Sequence, residues 1–131
     1  MKYEKGMAVK EVFYKKPAEG SFSFIFLDEF LNHFLATASA LVRREVAVNT
    51  PLTNNLVSIE MHAFLYFLSE GNGYYLADKM AVKRRNPGGI TMRGAYREQA
   101  VDGHYKMWKE VLVFAPRQYK ALIRFRIAEY Q

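Results

Sequence analysis

Apolar side chains recur with the period of an α-helix between Leu27 and Val42, and this pattern constrains the fold more than any other feature of the 131-residue chain. The spacing places them along one face of a helix, which must be buried against another element. Acidic residues stand near the start of the stretch and two arginines near its end, as the helix dipole favours. We predict a helix over residues 22–47, ended by Asn49-Thr50-Pro51. The stripe consists of Leu27, Phe30, Leu31, Phe34, Leu35, Ala38, Leu41 and Val42.

A second apolar stripe predicts a helix near residues 54–70, for which Gly71-Asn72-Gly73 is the stop signal. Residues 74–85 are then predicted to form a short helix. That helix ends at Asn86-Pro87-Gly88-Gly89, the strongest turn signal in the chain. The second stripe consists of Leu56, Ile59, Ala63, Phe64, Phe67 and Leu68.

The C-terminal part of the chain allows two interpretations. Thr91 can cap a third long helix, which two glycines weaken. Beyond it, the β-rich residues 111–114 and the alternating residues 123–127 are typical of a hairpin. Alternatively, a last helix begins at Pro116, and we prefer this interpretation. The inner positions would be Ala95, Tyr96, Ala100, Tyr105, Trp108 and Leu112 in the long helix, and Tyr119, Leu122, Ile123, Ile127 and Tyr130 in the last one.

The first twenty residues alternate basic and apolar side chains without a helical period, and they end at Pro17 and Gly20. We therefore predict an extended N-terminal arm over residues 1–20, which can include a short strand, and a single helical domain over residues 21–131. The expected fold class is mainly α, a helical bundle with an extended arm. The alternative is an α+β fold with a C-terminal β-hairpin.

The composition limits the classes of protein to which the chain can belong. Half of the residues are apolar, which is enough for a real core. The 10 Phe, 9 Tyr and 1 Trp are more rings than one small core easily holds, so some are expected at an interface. The absence of cysteine excludes disulfides, thiolate metal sites and cysteine nucleophiles. We find no pattern of a secretory signal or membrane span, and expect a soluble protein of the cell interior or of a particle assembled there.

The net charge of +6 is distributed unevenly. Residues 1–20 carry +2 and residues 21–78 carry −4, whereas residues 79–131 carry +8. Six basic residues and no acidic residue lie between Lys79 and Arg97. Solvated protein surfaces normally mix both signs of charge, so this stretch indicates a polyanionic partner. We expect a nucleic acid, and the alternatives are an anionic lipid surface, an acidic protein or no partner.

The basic side chains predict contact with a nucleic-acid backbone. Several of them bracket the turn at residues 86–89, and others form a stripe with helical spacing near the C-terminus. The planar guanidinium group of arginine pairs with phosphate through two hydrogen bonds. Such contacts position a protein without reading bases. The candidate nucleic-acid-binding residues are Arg43, Arg44, Lys79, Lys83, Arg84, Arg85, Arg93, Arg97, Lys106, Arg117, Lys120 and Arg124.

Motifs of enzyme chemistry are missing from the sequence. His33, His62 and His104 belong to no metal-binding or nucleophile-activating spacing, and the glycine pairs do not form a phosphate-binding loop. We therefore expect no catalytic residue, no metal, no cofactor and no small-molecule substrate.

The order of parts resembles the major coat proteins of filamentous archaeal viruses. The features that carry this resemblance are the arm Met1–Gly20, the hydrophobic segment Ser21–Ala47, the absence of cysteine, the aromatic surplus and the basic C-terminal half. The resemblance implies a structural, nucleic-acid-packaging coat subunit located in the virion. It also implies obligate dimers, of identical or paralogous chains, stacked helically around double-stranded DNA.

A winged-helix transcriptional regulator, located in the cytoplasm, is the alternative. Residues 52–68, followed by residues 74–80, look like the opening of a helix-turn-helix. Residues 108–114 and 121–127 would then supply the two strands of the wing. The turn at residues 86–89 argues against it, because it interrupts the segment where the recognition helix is expected.

Overall fold

The computed structural model describes residues 2–4, 7–10, 20–51, 58–78 and 94–130, with residues 2–4, 7–10, 38 and 94–99 described by their backbone. The fold is mainly α, as expected, and the described part also contains two small antiparallel sheets. None of the described helices is long and apolar enough to cross a membrane. The elements in chain order are β1 (Lys2–Glu4), β2 (Met7–Lys10), β3 (Phe22–Phe24), α1 (Phe26–Asn32), a 3₁₀ turn (Thr37–Ser39), α2 (Arg44–Val48), α3 (Ile59–Ser69), β4 (Gly73–Tyr75), α4 (Gly94–Phe114), a second 3₁₀ turn (Arg117–Tyr119) and α5 (Lys120–Ala128).

The core lies where α1, α3 and α5 pack around α4. Helices α3 and α4 run side by side in the same direction. The Ser58 hydroxyl lies 2.7 Å from Nε2 of His104 at one end, and the Tyr66 and Phe114 rings are 5.3 Å apart at the other. Helix α5 folds back along α4, so that the ring of Tyr130 comes within 6.2 Å of the His104 ring. The core comprises Phe24, Phe26, Phe30, Phe34, Leu65, Leu68, Met107, Trp108, Val111, Ala115 and Ile123.

The prediction of one long helix over residues 22–47 is wrong. Residues 22–24 form β3, α1 ends at Asn32, and the next residue, His33, adopts the left-handed conformation with φ 44°. The apolar spacing suited a continuous helix, but Phe34 instead joins the rings of β3 and β4. Leu31, Leu41 and Val42, which the stripe placed inside, are exposed.

A two-stranded sheet replaces the start of the helix predicted over residues 74–85. Strands β3 and β4 pair antiparallel, with Phe22 opposite Tyr75 and Phe24 opposite Gly73. A methyl group at Gly73 would lie 2.1 Å from the Phe24 ring, so the close approach of ring and backbone requires glycine there. Residues 79–85 lie outside the described residues.

The other helical predictions are confirmed in outline. Helix α3 corresponds to the predicted helix at residues 54–70, of which residues 54–57 lie outside the described part. Helix α4 corresponds to the third long helix, whose proposed cap, Thr91, also lies outside the described part. In α4 the predicted inner position Trp108 is buried, whereas Tyr105 and Leu112 are only half-buried.

The alternative prediction of a C-terminal hairpin is wrong, because residues 111–114 belong to α4 and residues 120–128 form α5. The helical interpretation of this segment is confirmed. Pro116 stands one position before the first helical residue, Arg117. With helices in both segments, the wing of the winged-helix alternative is not formed.

Candidate nucleic-acid interface

Three contacts hold the turn between α4 and α5 in place. The backbone N–H of Tyr119 donates to the Pro116 carbonyl at 2.8 Å, and the Tyr119 ring stacks on Phe26 with the two planes 6° from parallel. Nζ of Lys120 donates to the Val113 carbonyl at 3.3 Å, which satisfies one of the last carbonyls of α4. The direction in which α5 leaves α4 is therefore well defined.

One side of α5 is embedded in the core. Ile123 is fully buried, and Ile127 packs against the same cluster. Arg126 also lies toward this side, because its guanidinium sits 5.8 Å from the centre of the Phe30 ring. It pairs with Glu129 at 2.8 Å. This arginine is thus engaged within the chain.

The opposite side of α5 combines positive charge with an exposed ring. Arg117, Ala121, Arg124 and Ala128 are exposed at successive turns, and Phe125 beside them exposes 69% of its surface. We call these five residues the terminal basic face. An exposed phenyl group costs solvation free energy unless a partner covers it. Arginines can bind phosphates while such a ring stacks on a base or a sugar.

The structure separates the predicted binding residues. Arg117 and Arg124 share the terminal basic face, whereas Lys120 is directed back to the end of α4. Arg43 and Arg44 are exposed at the start of α2. Lys106 is ion-paired with Asp102 on its own helix, at 2.6 Å.

The predicted cluster of basic residues around the turn at residues 86–89 lies almost entirely outside the described residues. Arg97 lies in the first turns of α4, where only the backbone is described. The other members lie outside the described residues: Lys79, Lys83, Arg84, Arg85 and Arg93.

Sequence reasoning missed Phe125 as a surface residue. The signal was present, because the inner stripe predicted for the last helix included Ile123 and Ile127 and left Phe125 on the other side. The position of this ring beside exposed arginines, and not its exposure alone, is what suits an interaction with nucleic acid.

A second polar cluster links α1, α3 and α4. Nδ1 of His33 lies 3.1 Å from a carboxylate oxygen of Glu29, which is itself buried. The Thr37 hydroxyl donates to the Glu60 carboxylate at the start of α3. Ser58, one residue before α3, bonds to His104 of α4. The Thr37 bond ties the loop after α1 to α3, and the Ser58 bond ties the start of α3 to α4.

The environment shifts the pKa values of these histidines in opposite directions. The hydrogen bond to Glu29 raises the pKa of His33, with help from the negative charges of Glu29 and Glu60 and against partial burial. Burial lowers the pKa of His104, against a hydrogen bond to the Ala100 carbonyl. Within the described residues, no three histidine or acidic side chains are grouped to hold a metal ion.

Comparison with protein-family models, with curated proteins and with solved structures found no match to the chain.

Proposed function

We propose that the chain is a structural nucleic-acid-packaging protein, a virion coat subunit that assembles into a filament and binds the backbone of double-stranded DNA without sequence specificity. The observation that carries the proposal is the terminal basic face. Arg117, in the 3₁₀ turn that leads into α5, and Arg124 of α5 are both exposed, and the buried side of α5 is anchored in the core by Ile123. Rigid placement of cations suits a regular row of phosphates.

The chemistry of this face supports binding without sequence specificity when Arg117 and Arg124 contact phosphates and not guanine edges. Beside Arg117 and Arg124 it carries only a phenyl ring and two methyl groups. None of these three groups has the donors and acceptors with which Asn, Gln or Glu read base edges. Contacts with phosphates, together with stacking, hold a duplex or a strand without selecting its sequence.

Assembly is supported by the segment around α2. Leu41 is fully exposed, Val48 exposes 69% of its surface, and all five residues of α2 are at least partly exposed. A helix this short is not stable without packing. In the proposal a second copy of the chain, or a paralogue, covers this segment. The helices around α4 then form the bundle of the subunit, and residues 1–20 form its arm.

Binding to fluorescently labelled duplexes at several salt concentrations tests the nucleic-acid part. Two unrelated duplexes are expected to bind with near-equal affinity, and the affinity should fall steeply with salt. The double variant Arg117→Ala/Arg124→Ala is expected to lower the slope of log K against log salt by about 2, since each phosphate contact contributes about 0.9. Lys109→Ala, at an exposed basic position of α4 outside the candidate set, is the control and should leave the slope unchanged.

An unchanged slope in the double variant would contradict the role of this face, and a strong preference for one duplex would contradict backbone binding. Light scattering without DNA tests the assembly part separately. Leu41→Ser/Val48→Ser should shift the chain toward the monomer, whereas Val113→Ser, an equally exposed apolar position on α4, should not. A wild-type chain that stays monomeric at high concentration would contradict assembly.

A further inference from the structure

His62 occupies an unusual place for a titratable side chain. It lies on the inner side of α3, and none of its surface is exposed. Its ring stands edge-on to Phe114 of α4, with the centroids 5.2 Å apart and the planes at 86°. Neither ring nitrogen makes a hydrogen bond within the described part of the chain. Buried polar atoms without partners are rare in native proteins, and each one calls for an explanation.

The surroundings of His62 favour the neutral ring. Phe114 offers an apolar contact, and burial lowers the pKa of His62. The charged group on α4 that acts on the ring is Glu110, whose carboxylate opposes this effect but is outweighed by it. On α1, the Glu29 carboxylate is bonded to His33 and to two backbone N–H groups instead. A protonated ring at this position would bury two donors and a positive charge.

We propose that His62 is an acid-sensitive switch in the contact between α3 and α4. When the ring takes up a proton, it leaves its place against Phe114 and the two helices separate at this point. An imidazole in an open or unfolded chain titrates near pH 6.5, which is about the ordinary value. The closed form binds the proton less readily, so it is fully favoured above that pH and is progressively lost as the pH falls below it.

His104 spans the same pair of helices, and burial lowers its pKa as well, but its ring has hydrogen-bond partners. Its ring is half-buried, and its partner is the Ser58 hydroxyl. A hydroxyl group can either donate or accept, so it can rotate to accept a hydrogen bond from a protonated ring. The proton is therefore accommodated at His104 and not at His62.

A tryptophan in the core to which α3 contributes Leu65 and Leu68 can report whether α3 and α4 stay packed together. Trp108, the one tryptophan in the sequence, is buried on α4 and stands edge-on to Phe30. When the wild-type chain is acidified from about pH 8 to about pH 5, the fluorescence emission of Trp108 is expected to shift to longer wavelength. Most carboxylates titrate below this pH range. The midpoint should lie below 6.5.

His62→Met should keep the emission of a buried tryptophan throughout this range, because the thioether fills similar space and binds no proton. His104→Gln is the control and should retain the wild-type transition. The absence of a shift in the wild-type chain would overturn the proposal, and so would an unchanged midpoint in His62→Met.

A second measurement serves in case His62→Met does not fold. Nuclear magnetic resonance of the wild-type chain with ¹³C-labelled histidine follows the His62 ring directly. The proposal requires its titration to coincide with the Trp108 transition. A His62 signal that titrates while the Trp108 emission stays constant would overturn it.

Discussion

The carboxylate of Glu29 bonds to the ring of His33 one helical turn later, with Oε1 3.1 Å from Nδ1. Its other oxygen accepts the backbone N–H groups of Phe34 and Leu35, at 3.1 and 3.2 Å. One buried side chain thereby ends α1 and satisfies the donors of the turn that follows. The turn carries Phe34 into the ring cluster of the small sheet.

Removal of this carboxylate should destabilise the fold. Glu29→Ala leaves two backbone donors without their acceptor, and we expect a loss of about 3 kcal/mol in the free energy of unfolding. Glu29→Gln keeps one oxygen and should lose about half of that. Urea unfolding measures both, and Glu45→Gln, at an exposed position of α2, is the control. A loss in Glu29→Ala no larger than in the control would contradict the role of Glu29 in ending α1.

The pair also predicts a pH dependence. Because Glu29 raises the pKa of His33, the protonated ring adds stability that is fully present below about pH 6.5 and is lost as the pH rises through the higher value of the folded chain. His33→Asn removes the titrating group, and asparagine tolerates the left-handed backbone. The stability difference between wild type and His33→Asn should shrink as the pH is raised from about 6 to about 8.5. A difference that is independent of pH would contradict this prediction.

Two neighbouring glycines provide a matched test of the small sheet. A Cβ at Gly73 would overlap the buried Phe24 ring, whereas a Cβ at Gly71 would meet nothing within 4 Å. Gly73→Ala should therefore cost about 1–3 kcal/mol, the usual range for overpacking, and lower the melting temperature. Gly71→Ala should have little effect. Similar melting temperatures for the two variants would show that the approach of Phe24 to β4 is wrong.

Two residues of α5, two positions apart, should affect different properties. Ile123→Ala creates a cavity in the core and should cost about 2–5 kcal/mol of stability. Phe125→Ala should change stability by no more than about 0.5 kcal/mol, because the ring is exposed. The same variant should weaken binding to DNA, since a stacking ring is lost. If Phe125→Ala unfolds more easily but binds as before, the ring belongs to the packing of the chain and not to an interface.

The helices of the C-terminal half could be predicted from the sequence, whereas the end of α1 at Asn32 could not. In α5, the spacing of Ile123 and Ile127 was sufficient, because the buried side of that helix is decided by its own residues. The end of α1 depends on a contact of Phe34 with rings distant in sequence, such as Tyr75. Apolar periodicity does not distinguish a ring buried along a helix from one buried beyond its end.

Only part of the candidate site could be predicted from the sequence. Arg117 and Arg124 share a face, as their spacing indicated, whereas Lys120 at the same spacing is bonded to the Val113 carbonyl. That difference depends on how the chain folds back between α4 and α5, which brings Nζ of Lys120 to the end of α4. The pairing of Glu29 with His33 follows the four-residue spacing of a helix and could have been anticipated.

Electron microscopy of the negatively stained chain, alone and mixed with two unrelated DNA duplexes, tests whether the chain assembles into filaments on DNA. A coat subunit that binds the DNA backbone is expected to form regular filaments with both duplexes, and their length should follow the length of the DNA. Isolated particles of monomer size in both mixtures would contradict the account, as would filaments that form with only one of the two sequences.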